Sequence, residues 1–164
     1  MKFIKDKFLH LVKMKRIMLN TNVFCRPFDD QSYHKLRQEA DSALSILSQA
    51  AEGKAEIVTS DVLYEEVDLI KDKNKRESVF YLIEGVESER ISSSKYIIRI
   101  ANGLHRLIYD YNDCLHIAFA AAAKCDFLIT CDGELLEKKH KIERFLLSEK
   151  INTKINHPFE YEKK

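Results

Sequence analysis

Phe127-Leu128-Ile129-Thr130-Cys131-Asp132-Gly133-Glu134-Leu135-Leu136, residues 127–136, holds an apolar run, an acid, and then apolar residues returning at helical spacing. It predicts a short strand over Asp126–Thr130 and a helix that starts at Asp132. Outward from it the same unit recurs. Arg16–Leu19 is a β-like run closing on Asn20-Thr21-Asn22, and Arg26–Asp30 follows as a loop. Leu36, Ala40, Ala43, Leu44 and Leu47 mark a helix over Ser32–Glu52, ended by Gly53. Glu56–Thr59 is a second strand, and Ser60 or Asp61 caps a helix through Lys71. Helices are expected over Asn74–Glu87 and Tyr96–Leu107, and over an Ala-rich segment capped by Asn112 or Asp113 and running to Lys124. Ile151–Ile155 is a last strand, closed by Pro158. Short strands alternating with longer helices mean right-handed crossovers and a parallel sheet with helices on both faces. Ligands in such folds bind beyond the carboxyl ends of the strands.

Composition narrows the class. The 164 residues make one domain, 45% hydrophobic and 32% charged. Gly (4) and Pro (2) are too scarce for a turn-dense all-β fold. The longest apolar run, Ile117–Ala123, is far short of a membrane span. The net charge of +1 hides an asymmetry: Met1–Arg16 carries +5 and Asp29–Glu89 carries −8. A basic arm beside an acidic body suits a polyanionic partner or a metal cluster. Residues 1–15 have helical apolar spacing and are expected to be a basic amphipathic extension, with the domain proper over 16–164. Cys25, Cys114, Cys125 and Cys131 show no zinc-site spacing, and no signal peptide is apparent, so a cytoplasmic protein with free thiols is expected.

Glu66 is the most informative single residue. It falls inside the apolar stripe Val62, Leu63, Val67, Ile70 of its helix, while Glu65 points about 100° away. An acid aimed at a core needs a partner: a metal, an Arg or a shared proton. Asp113 and Asp132 each stand where an acid caps a helix, and Asp132 also stands at a strand end. A capping carboxylate there can still face a ligand. His116 lies three residues after Asp113 on the same face and reads as a packing or supporting residue.

Taken together, these segments resemble the PIN-domain nucleases, in particular the toxin-like (VapC-type) prokaryotic branch. The matching stretches are Leu19-Asn20-Thr21-Asn22-Val23-Phe24 and Arg26-Pro27-Phe28-Asp29-Asp30-Gln31, then Ser60-Asp61-Val62-Leu63-Tyr64-Glu65-Glu66. Asp113-Cys114-Leu115-His116-Ile117-Ala118 and Leu128-Ile129-Thr130-Cys131-Asp132 complete them. The resemblance covers about Arg16–Pro158. It implies a PIN-like three-layer α/β/α fold with a short parallel sheet, and a metal-dependent endoribonuclease that uses Mg²⁺ or Mn²⁺. RNA is the implied partner, with a small antitoxin protein and a second copy of the chain. By the same resemblance Glu66, Asp113 and Asp132 match the second, third and fourth acids of the family's metal cluster. Asn22 and Thr130 would orient ligands or water, His116 would support the site, and Arg26 would contact RNA phosphate.

The chain departs from the family pattern at the first acid, where Asn20 stands in place of Asp. The amide removes one negative charge and offers a neutral oxygen beside an NH₂. The departure implies a weakened or inactive relative, natural or engineered, or compensation by Asp29 or Asp30. A non-catalytic RNA- or partner-binding module on the same fold is the alternative. A small phosphate-binding or phosphohydrolase α/β domain lacks support, because the chain has no G-x-x-x-x-G-K-[ST] loop and little Gly to cradle a nucleotide.

Overall fold

The computed structural model describes residues 13–163. The expected helix within residues 1–15 therefore lies almost wholly outside the described residues. Five parallel strands form one sheet in the order β3-β2-β1-β4-β5. They are β1 (Lys15–Leu19), β2 (Ala55–Ser60), β3 (Glu87–Ile91), β4 (Phe127–Ile129) and β5 (Lys154–Asn156). In register, Ile17 lies opposite Ile57 on one side and Phe127 on the other. The order reverses between β1 and β4, which opens a crevice at their carboxyl ends.

Helices fill both faces. α1 (Thr21–Cys25), α2 (His34–Ala51), α3 (Asp61–Asp68) and α4 (Lys73–Val86) pack with Ile17, Leu19, Ile57 and Ile129. On the other face α5 (Lys95–Leu104), α6 (Tyr111–Ala122) and α7 (Gly133–Ser148) pack with Met18, Val58, Leu128 and Ile155. The alternation of Ile17, Met18 and Leu19 between the two cores is the period-2 rule of a strand covered on both sides. A short α8 (Pro158–Glu162) closes the chain. This is the expected α/β three-layer architecture. Gly53 takes φ +73° just after α2, and its N–H reaches Ala50 O at 2.9 Å, as a helix stop requires.

Several boundaries differ from the sequence expectation. Asp110 caps α6 by accepting from Asn112 N–H at 2.8 Å, so Asp113 sits in the first turn and does not cap. Pro158 opens a helix, and Arg26–Phe28 forms a 3₁₀ turn. β3 was not expected. It is a charged edge strand, Glu-Ser-Glu-Arg-Ile, with no buried residue, and charge on an edge is how a sheet avoids pairing with another chain.

Candidate active site

The site is built where β1 and β4 end. Asn20 N–H donates to Ile129 O at 2.9 Å, which extends the pairing one residue past β1. The Asn20 side chain is 4% exposed. Its Nδ2 lies 3.2 Å from Thr130 Oγ1 and 3.4 Å from Asp113 Oδ1. Thr130 Oγ1 also accepts from Asn22 Nδ2 at 3.4 Å and from Asp132 N–H at 3.0 Å. Asn22 Oδ1 accepts from Cys131 N–H at 3.0 Å. Side chains just after β1 thus hold the corner between β4 and α7, and with it Asp132. Asp132 itself accepts from Leu135 N–H at 2.9 Å, so it is both a helix cap and a wall of the crevice.

Asp113 faces this corner from the first turn of α6. Burial pushes its carboxyl up, and the neighbouring Asp132 charge pushes further. The Asn20 hydrogen bond only partly offsets them, and the group is raised to about 6. Two carboxylates in a partly desolvated cleft resist ionising together.

Glu66 enters from α3. Thr21 Oγ1 donates to Glu66 Oε2, and His116 Nε2 lies 2.8 Å from the same oxygen. Burial would raise the Glu66 carboxyl, but His116, with Thr21 and Asn112, outweighs it and holds the group below its usual range. His116 is fully buried, and its Nδ1 has no partner among the described residues. An unfilled acceptor is cheaper to bury than an unfilled donor, so geometry favours the tautomer with its proton on Nε2, aimed at Glu66. Asn20 is therefore linked directly to Asp113 and through Thr130 to Asp132, while Glu66 is held separately by Thr21 and His116. Thr21 was not singled out from the sequence.

Arg26 has a different setting from the phosphate contact expected of it. Its Nε lies 2.6 Å from Glu39 Oε2 and its Nη1 lies 2.8 Å from Asp29 Oδ2. Asp29 also pairs with Lys75 Nζ at 2.7 Å, and Asp30 Oδ1 accepts from Ser32 N–H. Neither loop acid reaches Asn20, so neither replaces the missing carboxylate. Glu39 is fully buried, and its Oε1 lies 3.0 Å from His157 Nε2. Cys131 completes a compact trio with Glu39 and His157, their donor atoms all within 4.8 Å of one another. This trio is not the expected acidic cluster. Phe159 N–H donates to His157 Nδ1 at 3.2 Å, which leaves the ring proton on Nε2, directed at Glu39. Burial pushes the Cys131 thiol up to about 12. The trio is filled by its own protons and by Arg26.

That trio is the one group so compact among the described residues, and Asp113, Asp132 and Glu66 do not draw together to the same degree. The donor types in the crevice still suit a hard divalent cation: Asp113, Asp132 and Glu66 offer carboxylate oxygens, and Asn20 can offer an amide oxygen. Among the described residues, no helix is long and apolar enough to cross a membrane.

No family model matches the chain, and no curated protein does. Among solved structures, a chain in the crystal structure of VapBC2 from Rickettsia felis bound to a DNA fragment from their promoter superposes with a TM-score of 0.56 at 20% identity. The match covers 87% of this chain and 98% of that one, and it is a likeness of fold.

Proposed function

We propose that the crevice is the active site of a metal-dependent endoribonuclease of the PIN-domain toxin type, weakened because Asn20 stands where the first acid would be. The observation that carries this reading is the Asp113 carboxyl at the sheet's switch point, raised to about 6 first by burial and then by the charge of Asp132, a state that a cation would relieve. Asp113 and Asp132 would hold Mg²⁺ or Mn²⁺, with Glu66 and the Asn20 amide oxygen alongside. Such an ion, when bound, supplies Lewis acidity toward a phosphodiester and lowers the pKa of water. The remaining work belongs to the chain. His116 and Thr21 fix the Glu66 carboxylate in its ionised form. Thr130 and Asn22 hold the Asp132 corner in place. The paired cores on both faces keep the cleft rigid, which a positioned hydrolytic site requires.

The shared fold with the VapBC2 structure supports looking for a small antitoxin partner, and the PIN resemblance supports a homodimer and a cytoplasmic setting. A second reading, a non-catalytic RNA- or partner-binding module, is favoured by one contact: the Asn20 amide already donates to Asp113. Cleavage of one structured RNA with Mg²⁺ and with Mn²⁺, by the chain as given and by Asn20→Asp, separates the two. Metal-dependent cleavage by Asn20→Asp supports the nuclease. RNA binding without cleavage by either protein supports the module.

A further inference from the structure

A groove of about 540 Å³ lies between α5 and α7, on the face away from α2. Arg106, Lys141 and Arg144 rim it, and Leu107 and Phe145 form its apolar floor. No acid lines it. Arg106, Lys141 and Arg144 are exposed, and none of their side chains has an ion pair or hydrogen bond among the described residues. Arg16, Arg26, Arg90 and Arg99 are paired with acids, whereas these three unpaired cations gather around one groove. Phe145 can lie against α5 because residue 103 is Gly: a Cβ there would fall 2.5 Å from the ring.

The groove points toward the crevice by two routes. α7 begins at Asp132, and Lys141 lies nine residues along it, about 14 Å at the helical rise. On the other side the chain runs from Leu107 through Tyr109, which is 90% exposed, to the Asp110 cap and Asp113. An exposed aromatic therefore stands on the loop between the basic groove and the acid-bearing helix.

We infer that this groove binds the single-stranded RNA flanking the scissile phosphate, a reading that rests on the nuclease assignment above. Unpaired cations around a floor of Leu107 and Phe145, with Tyr109 exposed on the adjoining loop, match a strand that presents phosphates on one side and base faces on the other. A duplex hides its base faces and would gain only the charges. An acidic protein segment would match the charges and leave Tyr109 without a role.

The test is binding, measured in chelator so that cleavage does not intervene. The probe is a fluorescent, unstructured 12-nucleotide RNA, read by anisotropy across a salt series. Arg106→Ser/Lys141→Ser/Arg144→Ser should bind at least tenfold more weakly, with a salt slope smaller by about 2, since each phosphate contact on a single strand contributes about 0.7. Tyr109→Ser should weaken binding several-fold without changing the slope. A control triple, Arg37→Ser/Lys71→Ser/Lys95→Ser, removes equal charge elsewhere and should lose far less. Circular dichroism checks folding, and Arg144→Glu alone serves if the triple does not fold. Unchanged affinity in the groove triple, equal loss in the control, or preference for a polyglutamate peptide of equal charge would overturn the inference. So would a change in oligomeric state that accounts for the loss. RNA binding through the groove without cleavage by Asn20→Asp leaves this surface standing and sinks the nuclease reading. Cleavage that ignores the groove variants does the reverse.

Discussion

Asn20 Nδ2 stands 3.4 Å from Asp113 Oδ1, so an amide hydrogen is aimed at the carboxylate that most needs a cation. The same amide also donates to Thr130 at 3.2 Å. One neutral side chain thus stitches β1, β4 and α6 together without a metal. An Asp at this position could not donate to either neighbour, and three carboxylates would then meet where two already resist ionising.

Asn20→Asp should therefore raise both metal affinity and chemistry. The two side chains have nearly the same shape, and a hard cation prefers the anionic oxygen. RNA cleavage with Mn²⁺ should rise by one to several orders of magnitude, about what a poorly held catalytic ion loses. Asp113→Asn in that background should erase the gain. Equal rates for the given chain and Asn20→Asp would show that the amide does not limit the reaction.

Metal should stabilise the assembled cleft. At a hundred times its Kd a ligand that binds only the folded state adds about 2.7 kcal/mol. For a domain of this size that is about 5–10 °C in Tm. Asn20→Asp should show such a shift in millimolar Mn²⁺, and the given chain a smaller one. The two melting curves, each with and without chelator, check this, and no shift in either protein would remove the metal site.

Asp113→Asn in the given chain should stabilise the apo protein at neutral pH. The folded carboxyl is raised to about 6 from an ordinary 3.8. Above pH 6 the fold carries an ion that the unfolded chain carries more easily, and below about pH 4 both states are protonated. The advantage of Asn should be on the order of 1 kcal/mol after screening, full above pH 6, and should vanish toward pH 4. Urea titrations at pH 7.5 and pH 4 compare the two proteins. A gain that persists at pH 4 would mean that packing, not charge, is responsible.

Glu39→Ala should be among the most destabilising single changes outside the apolar core. It leaves Arg26 partly buried without Glu39 and takes the partner from His157. Breaking one side of a buried pair costs about 3–5 kcal/mol. Arg26→Met with Glu39→Leu should recover most of that. Chemical denaturation of the single and double variants measures it, and a small loss in Glu39→Ala would mean that water enters to solvate Arg26.

The sequence disclosed the sheet order's main consequence but not its edge. β1, β2 and β4 are apolar runs because helices cover both of their faces, and burial writes itself into composition. β3 is solvated and charged, so its pattern is that of a helix end, and only its pairing with β2 identifies it. Glu66 was conspicuous because it interrupts an apolar stripe. Glu39 carried the same signal, three residues after Leu36 and four before Ala43, and its burial beside Arg26 was equally open to inference. Arg26 pairs with Asp29, three residues along, and with Glu39 from α2; the first contact is local, and only the placed fold shows the second. Thr21 and the Asp110 cap were hidden for a related reason: hydroxyls and alternative caps look alike until the backbone is placed.

Asn20 bonds Thr130 across 110 positions of chain, and β1 pairs with β4 only after everything between them has been made. In a chain growing from its amino end, β1 can join β2 long before β4 exists. Every nascent chain that stops short of Asp132 lacks one wall of the crevice. The crevice thus cannot form until Asp132 has been made and has left the exit tunnel, when both walls are present together.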